Sequence, residues 1–195
     1  MKKGRLEVIT GCMSCGKTEE LIRRIHRAKI ARQRIIVFKP QIDDRSEDCL
    51  KSRSGLEIPA QEIEVISDIL IAACDSQVVG IDEAQFFSDL IPVVDELINQ
   101  GKRIIVSGLD TDFRGEPFGD VPFLISLADS HLLLPAVCVK CGSLNAIRTQ
   151  RIINGQPAPY NSPLLMIGGD ELYEARCRDC HEVPGKPKVF FNKKD

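Results

Sequence analysis

Apolar positions along this chain recur with two periods, and their alternation predicts an α/β fold. Leu6-Glu7-Val8-Ile9-Thr10 alternates and is partly β-branched, which suits a strand. Beyond it, Leu21, Ile25 and Ala28 recur at i, i+4 and i+7 on one helix face. Glu19 and Glu20 sit in that helix's first turn and Arg27, Lys29 and Arg32 lie toward its end, so its charges complement the helix dipole. Ile35-Ile36-Val37-Phe38 is a short apolar run of the kind buried in a parallel sheet. Residues 46–59 are polar without a clear period and read as a loop. Ile63-Glu64-Val65-Ile66 predicts a further strand, and Ser67-Asp68 opens a helix carrying Ile69, Leu70, Ala72 and Ala73.

The second half of the pattern repeats the alternation. Val78-Val79-Gly80-Ile81 is a buried strand that ends in Asp82-Glu83. Phe87, Leu90, Ile91, Val94, Leu97 and Ile98 mark an amphipathic helix beginning near Ser88, with Pro92 tolerated in its first turn and Gly101 ending it. Arg103 to Ser107 reads as the next strand and Leu132-Leu133-Leu134 as the last core strand. Strands alternating with helices, without internal repeats, predict a parallel sheet flanked by helices.

Composition sharpens this. A chain of 195 residues accommodates one α/β domain, expected over 1–135, and a small appendage over 136–195, where the character changes after Pro135. The formal net charge of -2 argues against a protein that lives on nucleic acid backbone. No apolar run approaches a membrane span, and Met1-Lys2-Lys3-Gly4 leads into a strand, so a cytoplasmic protein is expected. Eight cysteines is a high count, and paired spacings in such a chain point first to metal.

Candidate chemistry begins at Gly11-Cys12-Met13-Ser14-Cys15-Gly16-Lys17-Thr18, the G-x-x-x-x-G-K-[ST] phosphate loop between a strand and a helix. Its backbone N–H groups would hold phosphate oxygens, Lys17 would reach the β/γ-phosphates and the Thr18 hydroxyl would bind Mg²⁺. A buried strand ending in an acid is what such a loop needs, so Asp82 is the expected second Mg²⁺ ligand, with Glu83 facing the cleft. Asp43 and Arg45 follow another strand end and are candidates at the same sheet edge. Cys138, Cys141, Cys177 and Cys180 form two C-x-x-C pairs, a tetrahedral sulfur set for structural Zn²⁺. The 35 residues between the pairs require an inserted loop or hairpin, with the Pro-rich stretch 154–163 as that loop. His181 is expected as a neighbour of the metal site.

Together these pieces resemble the type II thymidine kinases, the cellular and bacterial family with a zinc-bearing lasso domain. The motifs are GCMSCGKTEEL, KPQIDDR, DEAQFF, GLDTDFRGEPF, the two C-x-x-C pairs and Ile167-Gly168-Gly169, in family order from Gly11 through Cys180. The resemblance implies a RecA-like phosphate-loop fold with a lasso closing over the nucleoside. It implies transfer of the γ-phosphate of ATP to the 5′-hydroxyl of thymidine or deoxyuridine, with dTTP feedback and a homotetramer. Glu83 looks like the general base, and Asp82, Glu83, Ala84 and Gln85 join the loop in the ATP site. Asp43 and Arg45 resemble the residues beside the transferring phosphate and sugar. Phe113 looks like the ring that stacks on the base, with Met13, Leu109, Phe118, Thr149 and Tyr173 as the pocket wall. Backbone from Leu164 to Met166 would read the pyrimidine edge.

Two departures matter. The family usually has Pro or Ala at position 12, an aromatic or Asn at 14 and Ser or Ala at 15, where this chain has Cys12, Ser14 and Cys15. Cys12 and Cys15 also form a third C-x-x-C, whose oxidation is expected to distort the loop and switch off ATP binding. The rival reading, a zinc-ribbon ATPase driven by nucleic acid, predicts a basic surface that this composition does not supply.

Overall fold

A computed structural model describes residues 3–41, 49–52, 55–164 and 171–187. In chain order the elements are β1 (Arg5–Thr10), α1 (Lys17–Ile30), β2 (Ile35–Pro40), β3 (Cys49–Lys51), β4 (Glu57–Pro59), β5 (Gln61–Ile63), α2 (Asp68–Ala72) and β6 (Val78–Ile81). There follow α3 (Leu90–Asn99), β7 (Arg103–Gly108), α4 (Val121–Leu127), β8 (Ser130–Leu133), β9 (Arg148–Ile153), β10 (Gln156–Pro157) and β11 (Glu171–Arg176).

A six-stranded sheet runs in the order β5-β2-β6-β7-β1-β8, and every neighbouring pair is parallel. Strand alternation divides the core into two layers. Leu6, Val8, Ile104 and Val106 point toward α2, α3 and α4, where they meet Leu90, Val94, Leu97 and Leu124. Ile9 and Ile105 point the other way and pack on Leu21, Ile22 and Ile25 of α1. Both faces are covered, which is why the strands read as nearly continuous apolar runs. Gly80 lets α1 approach closely, since a Cβ there would stand 3.1 Å from Ile25 Cδ1.

Glu7 is the polar position on the α1 face of β1. Arg103 Nε donates to it at 2.7 Å and Arg24 Nη1 at 2.9 Å, tying α1 to the sheet. Burial pushes this carboxyl upward, but the Arg103 guanidinium and its cationic neighbours outweigh it and hold the acid below its ordinary range.

Several elements differ from the sequence pattern. The strand expected at 63–66 forms at Gln61–Ile63, because its partner β2 ends opposite Ile63 at Pro40. Val65 is left 52% exposed. Within the stretch read as a loop, β3 and β4 pair as an antiparallel hairpin that buries Leu50 and Ile58. Strands of three residues with one buried position each leave no visible period. The expected core strand at 132–134 is instead β8, an edge strand that among the described residues pairs only with β1. α3 starts at Leu90, two residues later than Ser88, and its first N–H is capped by Asp120 Oδ2 at 2.8 Å from the unforeseen α4 segment. Residues 154–163 begin with a tight turn joining β9 to β10, and β9 also pairs antiparallel with β11. No helix among the described residues is long and apolar enough to cross a membrane.

Leu97 is fully buried between α3 and the sheet, so Leu97→Ala is expected to destabilise by about 3 kcal/mol. Ile71→Ala, at a 76% exposed position, should stay within about 0.5 kcal/mol of the parent. Urea unfolding of both variants checks this pair, and equal midpoints would contradict the two-layer core.

Candidate active site

The turn between β1 and α1 has the backbone a phosphate loop needs. Gly11 has φ 140°, and a Cβ there would stand 2.2 Å from the Leu134 carbonyl oxygen, so no larger residue fits. Ser14 and Gly16 also take positive φ, which turns the loop over the start of the 14-residue α1. The first N–H groups of α1 therefore face the loop's concavity. Lys17 is buried at the helix start, and its Nζ donates to the Cys12 carbonyl at 2.9 Å.

Because β7 lies between β1 and β6, Asp82 at the end of β6 faces the start of α1 across one strand. Thr18 Oγ1 donates to Asp82 Oδ2 at 3.0 Å, and Ser107 at the end of β7 donates to Oδ1. Asp82 is only 2% exposed. Burial first, then the adjacent Glu83 charge, push its carboxyl up to about 6 despite these two hydrogen bonds.

Glu83 takes the left-handed conformation (φ 49°, ψ 42°), turning the chain into the short 3-10 turn Ala84–Phe86. Gln85, buried in that turn, fixes its neighbour. Its Oε1 accepts from Leu109 N at 2.9 Å, which directs its Nε2 to donate to Glu83 Oε2 at 2.5 Å. Gln85 therefore reaches Glu83 and β7, and Ala84 is core.

Of these groups, Gly16, Lys17, Thr18, Glu83 and Gln85 line one side of a cavity of about 650 Å³. The same cavity is walled by Met13, Leu109, Phe113, Phe118, Thr149, Leu164 and Tyr173, so most of the expected nucleoside wall converges here. Phe118 packs edge-on against Phe86, with centroids 5.7 Å apart. Met13 N donates to Thr149 Oγ1 at 3.1 Å, tying the phosphate loop to β9. Asp43, Arg45 and Met166, with Ile167-Gly168-Gly169, lie outside the described residues.

Three contributors were not foreseen. Ser107 orients Asp82, and a polar residue closing an apolar strand was the available signal. Phe86 lines the cavity inside the DEAQFF motif. Arg151 is fully buried on β9, with its guanidinium 5.1 Å from the Phe113 centroid and 5.8 Å from that of Tyr173. Its Nη1 donates to the Pro163 carbonyl at 2.6 Å. A lone arginine in a strand pattern carries no signal of such a role.

The sulfur ligand atoms of Cys138, Cys141, Cys177 and Cys180 all lie within 4.8 Å of one another, so the four could hold a metal ion. Cys141 Sγ and Cys177 Sγ are 3.7 Å apart. A tetrahedral zinc with bonds of about 2.3 Å needs sulfurs about 3.8 Å apart, so the donor set fits that ion. His181 stands beside this cluster with its Nε2 donating to the Phe113 carbonyl at 2.9 Å. Cys12 packs with Cys138, Cys177, Ala146 and Ala175, and its thiol donates to the Ala146 carbonyl at 3.3 Å. The phosphate loop and the cysteine cluster thus share one small core. A hydrogen bond from Cys12, opposed by burial and aided by Lys17, lowers the Cys15 thiol to about 7, while the same pairing pushes Cys12 up.

The chain is similar in sequence to known proteins. A family model described as thymidine kinase matches residues 4–181. A thymidine kinase of Coprothermobacter proteolyticus is 53% identical over 190 residues, covering 96% of each chain.

Asp82 yields a prediction with a definite sign. Its folded pKa is raised, so the folded state holds this proton more tightly, and the stability this contributes is lost as pH rises from about 4 to about 6. Asp82→Asn, without ligands, should therefore be more stable than the parent at pH 8 by on the order of 2–3 kcal/mol. The gap should close below about pH 4. Urea midpoints across that range measure it, and an Asn variant weaker at pH 8 would contradict the burial argument.

Proposed function

This chain belongs to the thymidine kinase family, whose activity is ATP:thymidine phosphotransfer, and we propose that it performs this transfer with the cleft residues in the following roles. The phosphate loop, Gly11 to Thr18, holds the triphosphate through backbone N–H groups and the α1 N-terminus. Lys17, already at the loop, offsets charge on the β- and γ-phosphoryl groups. Thr18 and Asp82 would hold the Mg²⁺ that accompanies ATP, which supplies further neutralisation of phosphate charge when bound. The acid already sits with its oxygens directed toward Thr18 and Ser107, which supports that reading.

Glu83 accepts the proton of the nucleoside 5′-hydroxyl as that oxygen attacks the γ-phosphorus and the bond from that phosphorus to the β–γ bridging oxygen breaks, releasing ADP. Gln85 acts on Glu83 and holds its carboxylate toward the cavity, where Ala84 completes the turn. Asp43 and Arg45 are assigned to the phosphate and sugar by the family motif KPQIDDR. The nucleoside occupies the apolar end of the cavity, with Phe113 stacking on the base and Met13, Leu109, Phe118, Thr149 and Tyr173 around it. Leu164 through Met166 would supply main-chain groups to the pyrimidine edge. Deoxyuridine is the expected alternative acceptor and dTTP the expected feedback inhibitor.

The cysteine cluster is proposed as structural Zn²⁺, since four thiolates leave no open coordination position. It would anchor a lasso domain over 136–195 to a nucleotide-binding domain over 1–135. A cytoplasmic homotetramer is the proposed working form. The edge position of β8 and the 62% exposed Phe123 and 57% exposed Leu127 on α4 support self-association.

The observation that carries this reading is the convergence of Lys17, Thr18, Glu83 and the Phe113 wall on one cavity. A nucleoside phosphorylation panel, with zinc content measured on the same sample, tests it. Thymidine and deoxyuridine should be converted and purine nucleosides should not. ATP consumption driven by single-stranded DNA without nucleoside would instead favour the ATPase reading. Glu83→Gln should keep ATP binding and lose about 10²–10⁴-fold in kcat; wild-type turnover would remove Glu83 from its role. Gln85→Leu should lower kcat by roughly 10–100-fold because it loosens the base, with a smaller rise in thymidine KM because Leu109 N in the pocket wall loses its acceptor. An effect confined to KM would contradict the positioning role.

A further inference from the structure

A second recess, of about 240 Å³, opens behind the turn that carries Phe113, lined by Arg114, Gly115, Arg148, Arg178, His181 and Lys186. None of its lining residues borders the larger cavity. Its chemistry is one-sided. Four permanent cations surround it, and among the described residues the only carboxylate at ion-pair distance from any of them is Glu116, 3.6 Å from Lys186 Nζ.

Two of the cations are tied to backbone carbonyls, and the other two keep most of their donors open. Arg148 opens β9, and its Nη1 makes only a long hydrogen bond of 3.5 Å to Thr111 Oγ1. Arg178 sits in the turn between Cys177 and Cys180, and its side chain makes no hydrogen bond or ion pair among the described residues. Lys186 Nζ donates to the Arg114 carbonyl, and Arg114 Nη2 donates to the Ser162 carbonyl at 2.8 Å. Like charges gathered around a concavity repel unless something negative sits between them.

An oxyanion suits this lining best. Guanidinium groups match the paired oxygens of a phosphoryl group, and several lining one recess favour a dianion over a monoanion. The recess is smaller than the roughly 300 Å³ of ordinary small-molecule pockets and no Phe, Tyr or Trp ring lines it, so it does not suit a nucleoside. We propose that this recess binds a phosphoryl-type oxyanion, of the size of inorganic phosphate or pyrophosphate, at a site distinct from the phosphate loop. Its wall is joined to the larger cavity through the His181 bond to the Phe113 carbonyl, so an anion here sits one residue behind the proposed stacking ring. The proposal does not rest on the kinase reading.

Backbone amide NMR of the metal-loaded full chain separates this site from the phosphate loop. Inorganic phosphate and pyrophosphate would be titrated separately in magnesium-free buffer while the amides of Gly115 and Gly16 are followed. The Gly115 resonance should shift saturably, with its own midpoint, and the midpoint should rise with salt. Arg148→Gln/Arg178→Gln should weaken the Gly115 response at least tenfold and leave the Gly16 response intact. That intact response and unchanged metal content also show that the variant is folded. If the double variant does not fold, Arg148→Gln and Lys186→Gln singly should each weaken the same response severalfold. A Gly115 resonance unmoved while Gly16 shifts, or a shift that survives the substitutions, overturns the site. A response to oligothymidylate but to neither inorganic anion would also overturn it, as a nucleic-acid surface.

Discussion

The site depends on one topological constraint: β7 separates the strand that leads into the phosphate loop from the strand that ends in Asp82. Neighbouring strands stand about 4.8 Å apart, so two steps leave roughly 10 Å between the two strand ends. That gap admits phosphate groups, and Thr18 on the first turn of α1 reaches across it to Asp82. Ser107 fills the floor from β7. Adjacent β1 and β6 would close the gap, and a wider separation would leave Asp82 without its hydroxyl partners. The arrangement holds a carboxylate where water does not reach, which raises its pKa and weakens the unliganded fold. A cation or a ligand-bound metal would relieve that cost.

The same loop also faces the other sheet. Cys12 lies in the small core formed by Cys138, Cys177, Ala146 and Ala175, and Met13 is bonded to Thr149 on β9. Changes at the cysteine cluster therefore bear on the phosphate loop through direct packing. Arg151 extends this connection, since its guanidinium lies beside Phe113 and Tyr173 and its Nη1 bonds the carbonyl just before Leu164. One strand, β9, thus supports the loop, the proposed stacking ring and the segment ending at Leu164.

The parts legible in the sequence were those whose chemistry demands fixed spacing. Gly16, Lys17, Thr18, Glu83 and the two C-x-x-C pairs carry such spacing, and the fold gathers the first four at one cavity and the four cysteines in one cluster. The long amphipathic helices α1 and α3 were visible through their apolar faces. Short elements were not, because one buried residue per strand, as Leu50 in β3 and Ile58 in β4, gives no period. Leu132 to Leu134 misled in the opposite sense, since apolar content cannot tell an edge strand from a central one. Arg151 and Gln85 act through partners more than ten residues away, Pro163 and Leu109 respectively, and only the fold brings those together.

The central claim is that the Glu83 carboxylate meets the acceptor hydroxyl while the triphosphate lies on the Lys17 loop. A crystal structure with thymidine and a non-hydrolysable ATP analogue measures this directly. The account predicts a Glu83 carboxylate oxygen about 2.6–3.2 Å from the thymidine 5′-oxygen, with the γ-phosphorus in line beyond it. A thymidine seated elsewhere, or Glu83 directed away from the 5′-oxygen with the cleft filled, would contradict it.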